Sequence, residues 1–117
     1  MRDYNEARVL ADAGVTEIAG YAGGRTRRVS FERRDGGAVA ARIFKTDVVT
    51  FYPDRFEVRT GGYVTPSTFD GIAAALNVSR GVVGTVKKVP YLMGVELSAD
   101  PNAFTVHAYR DAQPYTS

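Results

Sequence analysis

The sequence predicts an α+β domain: a mainly antiparallel sheet of about six or seven strands, one helix packed on it, and a short N-terminal helix. Three observations predict it. Between residues 26 and 60, large apolar side chains fall at every second position, the period of a strand with one buried face. Turn residues at Asp35-Gly36-Gly37 and Pro53-Asp54 interrupt that alternation at short intervals, so consecutive strands fold back beside one another. The period becomes helical in two stretches, residues 1–14 and 67–77. A chain of 117 residues, 44% hydrophobic, can bury a core without staples and is too apolar for disorder, so residues 1–117 read as a single domain.

Taken in order, Tyr4, Ala7, Leu10 and Ala11 recur at helical spacing. Asp3 is the expected cap, Glu6 its capping-box partner and Gly14 the stop. Residues 15–21 alternate as a brief strand, and Ala22-Gly23-Gly24 is a loop. From Thr26, Val29 and Phe31 face one way and Arg28, Ser30 and Glu32 the other. After the Asp-Gly-Gly turn, Val39, Ala41 and Ile43 share a face, with Ala40, Arg42 and Phe44 opposite. A break at Lys45-Thr46-Asp47 follows, and Val49 and Phe51 then alternate with Val48, Thr50 and Tyr52. Beyond Pro53-Asp54, Phe56 and Val58 alternate with Glu57 and Arg59. These segments, 26–60, make a four-strand meander with one buried side.

Pro66 is expected to end the last of these strands, and Ser67 with Asp70 to open a helix over 67–77. Its stripe of Phe69, Ile72, Ala73 and Leu76 covers the sheet, and Asn77 is its left-handed stop. Gly71 inside that helix costs about 1 kcal/mol against Ala, which implies close packing there or a weak first turn. Residues 81–109 return to strands: 81–89 with Val82, Val83, Val86 and Val89, then 91–97 with Tyr91, Met93, Val95 and Leu97 alternating, joined at Pro90. After a turn at 98–102, Phe104, Val106 and Ala108 alternate with Thr105, His107 and Tyr109. The polar tail, 111–117, is expected to fray.

The totals exclude several classes. With no cysteine there is neither a disulfide framework nor a thiolate zinc site. No apolar run approaches the ~18 residues that span a bilayer, and the charged N-terminus lacks the apolar segment of a signal peptide. A cytoplasmic protein is expected, with no membrane partner, cofactor, metal or small-molecule substrate. Asn77-Val78-Ser79 fits a glycosylation sequon, but no secretory signal accompanies it. A net charge of +2 does not by itself argue for nucleic acid; only a local cluster would.

The run Arg42 to Leu76 holds Thr46-Asp47-Val48-Val49-Thr50, then Pro53-Asp54, then Thr60-Gly61-Gly62-Tyr63-Val64-Thr65. It resembles a family of small uncharacterised proteins encoded by actinobacteria and their tailed phages. Members carry Gly after the Pro-Asp, where Arg55 stands here, and often tryptophan after the glycines, where Tyr63 stands. The resemblance implies a phage or prophage setting and the cytoplasm of an infected host. It brings no activity, cofactor or catalytic residue.

Candidate chemistry lies in the arginines. Gly23-Gly24-Arg25-Thr26-Arg27-Arg28, with Arg33-Arg34 beyond, could hold phosphates through backbone N–H groups and guanidinium forks. Arg28, Arg42 and Arg59 project from the outer sheet face with Phe44 and Tyr52 among them, the composition of a single-strand-binding surface. Two other readings stand beside it. The arginines could pair across strands with Glu32 and Glu57. Alternatively Phe44, Val48 and Tyr52 form a patch covered by a homodimer partner or by the C-terminal strands.

His107 has no nucleophile motif beside it and reads as a surface or interface residue. Asp35, Asp47, Asp54, Asp70 and Asp100 occupy turns or a cap, where such side chains fix local backbone. Lys87-Lys88 reads as a solvated strand end. Neither Gly23-Gly24 nor Gly61-Gly62 has the strand-to-helix context of a nucleotide loop. No nucleophile, base and orienter come together, so a non-enzymatic protein is expected. The first reading is a phage or prophage accessory protein that binds a macromolecular partner, a host protein, with homodimerisation through the sheet face as one form. The alternative is nucleic-acid binding. Both draw on Arg25, Arg27, Arg28, Arg42, Phe44, Tyr52 and Arg59.

Overall fold

The computed structural model describes residues 1–109, and the tail expected at 111–117 lies outside them. In chain order the elements are α1 (Tyr4–Asp12), β1 (Ile18–Ala19), β2 (Thr26–Arg27), β3 (Ser30–Arg33), β4 (Val39–Ile43), β5 (Thr46–Phe51) and β6 (Phe56–Val58). They continue as α2 (Pro66–Leu76), β7 (Val83–Val86), β8 (Val89–Leu92), β9 (Val95–Glu96) and β10 (Thr105–His107). The α+β class stands. The described strands number ten and form three antiparallel sheets: a ribbon β1-β2, a main sheet β10-β6-β5-β4-β3, and a meander β7-β8-β9.

The main sheet is the meander that alternation predicts, extended at one edge by β10. Phe31, Ala41, Val49 and Val58 stand in one cross-strand row, and Val39, Phe51, Phe56 and His107 in the next, all buried. Arg28's neighbour Val29 is buried with them, but β2 pairs with β1, so the meander begins at Ser30 rather than Thr26. Alternation fails once. A bulge between Ala41 and Arg42 sets an extra residue on β5, turning Val48 inward beside Val49, 1% exposed, instead of outward as alternation alone requires. Past the bulge, Arg42 faces Asp47 and Ile43 faces Thr46.

Helix α2 lies on the buried face against β4 and β5, with β7 and the β1-β2 ribbon on its other sides. That is why eight of its eleven residues are buried and why it carries more than one apolar stripe. Its cap is Thr65, not Ser67: Thr65 Oγ1 accepts from the Thr68 N–H at 3.4 Å, and Pro66 takes the first helical position, where no N–H is needed. Asn77 closes the helix at φ 56°. Arg2 closes it chemically. The buried guanidinium donates through Nε to the Ala75 carbonyl (2.8 Å) and through Nη2 to Ala74 (3.4 Å), while the Arg2 N–H donates to Leu76 (2.6 Å). Glu6 pairs with Arg2 at 3.1 Å instead of completing a capping box, although Asp3 does cap α1.

The C-terminal strands differ from the expected pair. Lys87 and Lys88, both at positive φ (51° and 69°), form a two-residue hairpin turn, and Met93-Gly94 (50° and 82°) forms another. Neither 81–89 nor 91–97 is therefore a single strand. Pro90 sits inside β8, opposite Thr85 and one pair beyond the turn, where pairing with β7 asks for no N–H from it. Toward the other neighbour its carbonyl accepts from the Leu97 N–H at 2.8 Å just past β9, and the ladder ends there.

Candidate nucleic-acid interface

Three grooves meet at the tip of the β4-β5 hairpin, residues Ile43 to Thr46. The first, ≈450 Å³, lies on the outer face and is lined by Arg34, Arg42, Lys45, Asp47 and Arg59. The second, ≈530 Å³, continues it past Arg42 to Arg28, with Glu17 on its wall. The third, ≈480 Å³, opens on the far side of the tip between Phe44 and Tyr63 and shares Lys45 and Thr46 with the first.

Arg42 and Arg59 line the outer-face groove, and Arg28, just before β3, meets Arg42 in the adjoining one; neither Glu32 nor Glu57 forms an ion pair with any of the three. Glu32 is taken by Arg34 (3.3 Å), and the nearest hydrogen bond to Glu57 comes from the Tyr52 hydroxyl (3.5 Å). Asp47, the cross-strand neighbour of Arg42, is gripped by Arg34 through two bonds of 3.0 and 2.9 Å. Those bonds, with the pair to Glu32, hold the Arg34 guanidinium well above its ordinary pKa. To join Glu32 on β3 to Asp47 on β5, Arg34 crosses β4, whose outward residue opposite Glu32 is Ala40, fully buried. A small side chain is what lets the crossing lie flat.

Among the described residues, Arg28, Arg42, Lys45 and Arg59 have no carboxylate at ion-pair distance. Arg42 Nε donates to the Phe44 carbonyl (3.1 Å), which fixes the guanidinium beside the turn and leaves its other N–H groups outward. Arg59 lies over Phe104, 5.4 Å from the ring centroid.

The remaining candidates separate from this strip. Arg25 and Arg27 line a recess on the α2 side with Arg80, where Asp70 accepts from Arg27 (3.4 Å) and Arg80 (2.7 Å). Tyr52 is half-buried, with Arg55 stacked over one face at 4.2 Å from its centroid, and it lines none of the three grooves. Phe44 is not on the strand face; it occupies the hairpin turn at φ 53°, 89% exposed.

His107 is a correction of a different kind. It points into the core at 7% exposure, stacked on Phe56 at 5.1 Å, with Nε2 2.7 Å from Thr105 Oγ1. Burial lowers its pKa. Tyr63, 63% exposed on the third groove, is the contributor the sequence reading passed over; its signal was an aromatic directly after Gly61-Gly62. No helix of the described residues is long and apolar enough to cross a membrane, and no cluster of metal-ligating side chains occurs among them. No family model, curated protein or solved structure matches the chain.

Proposed function

We propose that this chain is a small non-catalytic binding protein whose partner is nucleic acid, engaged through the outer face of the main sheet. The phage or prophage setting and the cytoplasmic site are part of the proposal and rest on the resemblance of the segment Arg42 to Leu76. The observation that carries the reading is that Arg28, Arg42, Lys45 and Arg59 have no carboxylate at ion-pair distance among the described residues, while Arg34 engages Glu32 and Asp47. Cations free of ion pairs along two adjoining grooves attract a polyanion and release its counterions. The non-catalytic reading is supported by His107, whose ring is buried against Phe56 and Thr105 rather than lining a groove.

Fluorescence anisotropy with labelled single- and double-stranded oligonucleotides tests it. Four phosphate contacts predict a log–log salt slope of roughly −3 on single strands. Arg42→Glu with Arg59→Glu should abolish binding, and no retention of any oligonucleotide at low salt overturns the reading.

The second reading, a host-protein partner or a homodimer, is favoured by Val106 on β10, the end strand of the main sheet, and Phe104 just before it, both exposed. It predicts a dimer by light scattering, or a protein retained from nuclease-treated host lysate and lost in Val106→Asp. A monomer that retains nothing removes it.

A further inference from the structure

Phe44 is an outlier twice over. Its positive φ suits glycine or asparagine and is costly for a bulky side chain, and its ring is left in water. Lys87, Lys88 and Met93 share that backbone, but the lysines are solvated charges and Met93 packs on the core. Phe44 gains neither, so folding does not explain an aromatic there. A second exposed aromatic, Tyr63, lines the same groove, whose ≈480 Å³ falls in the range of small-ligand sites. Lys45 stands on the rim shared with the basic groove, which continues to Arg42 and Arg59. Rings open to solvent beside cations without carboxylate partners are what an unpaired base and its phosphates require, since an unpaired base has a free face to stack while the faces of duplex bases are already stacked on their neighbours.

We propose that Phe44 and Tyr63 form a stacking platform for bases of single-stranded nucleic acid, with the adjoining phosphates running along Lys45, Arg42 and Arg59. The proposal rests on the nucleic-acid reading and narrows it to unpaired strands.

The test titrates a fluorescein-labelled oligothymidylate of about a dozen nucleotides, and a duplex of similar length, into the wild type, Phe44→Asn, Tyr63→Ala, Phe44→Trp and Arg42→Ala. Phe44→Asn should fold at least as stably as the wild type in urea, because asparagine accepts the positive φ. Each aromatic deletion should weaken single-strand binding about tenfold to a hundredfold while leaving duplex binding unchanged, and Phe44→Trp should restore it. Arg42→Ala should weaken both. Single-strand binding that depends on Arg42 but not on the aromatics overturns this inference and leaves the nucleic-acid reading standing. Equal loss on duplex and single strand also overturns it. No binding to any oligonucleotide overturns both and turns attention to a protein partner.

Discussion

Ile43 occupies the space that a side chain at residue 71 would need: a Cβ built on Gly71 would fall 1.6 Å from Ile43 Cδ1. The glycine in the middle of α2 is the condition for the helix to reach β4. Gly71→Ala should therefore destabilise the fold by about 1–3 kcal/mol through overpacking, outweighing the ~1 kcal/mol that alanine gains in helix propensity. Ile43→Val removes the obstructing methyl, so the double variant should recover part of that loss. Urea denaturation of the four-protein cycle decides it, and a Gly71→Ala protein as stable as the wild type would refute the contact.

Arg2 makes a comparable prediction at the other end of α2. Its guanidinium is the buried partner of the Ala74 and Ala75 carbonyls and rests 5.3 Å from the Phe31 centroid. Burial lowers its pKa and Glu6 opposes that fall, so the charge is held in place by geometry rather than by solvent. Arg2→Met should cost about 2–3 kcal/mol, the scale for losing charged hydrogen bonds at buried acceptors. Arg2→Lys should rescue little, because an ammonium cannot span two carbonyls as a planar fork does. Thermal unfolding of both variants measures it; full rescue by lysine would reduce the role of Arg2 to charge at a helix end.

The sequence was informative wherever one residue type has one structural use. Asp35-Gly36-Gly37 turned the chain, Asn77 stopped the helix, and alternation from Phe31 to Val58 defined the buried face. It was silent where tertiary context decides. Lys87-Lys88 is a tight turn built from residues with no turn preference, made visible only by the pairing of Val86 with Val89. Val48-Val49, two β-branched residues in an otherwise alternating run, was the available sign of the bulge. The arginine face could be read from parity, but whether Glu32 and Asp47 neutralised it depended on where Arg34 reached, and a side chain crossing a strand leaves no periodic trace.

That crossing is itself testable. Ala40→Leu puts a branched side chain under Arg34 and should dislodge it from Asp47, freeing a carboxylate opposite Arg42. Arg34→Ala should do the same. Both variants are expected to weaken oligonucleotide binding and flatten its salt slope by about one phosphate contact, since the freed Asp47 neutralises Arg42. Asp47→Asn should act oppositely and tighten binding. If Arg34→Ala and Asp47→Asn shift affinity in the same direction, Arg34 is not shielding the strip.

His107 sets the pH dependence of stability in the range near neutrality. Burial on Phe56 lowers its folded pKa below the ordinary 6.5, so the unfolded chain binds the proton more readily. The sign follows: stability is full above about 6.5 and declines as the pH falls below that value toward the folded pKa. Asp12, whose carboxyl is lowered by hydrogen bonds from Arg33, titrates below its ordinary 3.8 and stays out of this window. Urea midpoints measured from pH 8 to 5 should therefore drop on the acid side in the wild type. His107→Phe keeps an aromatic against Phe56 but has no proton to take up, so its profile should be flat over the same range. An equally sloped His107→Phe profile would assign the effect to another group.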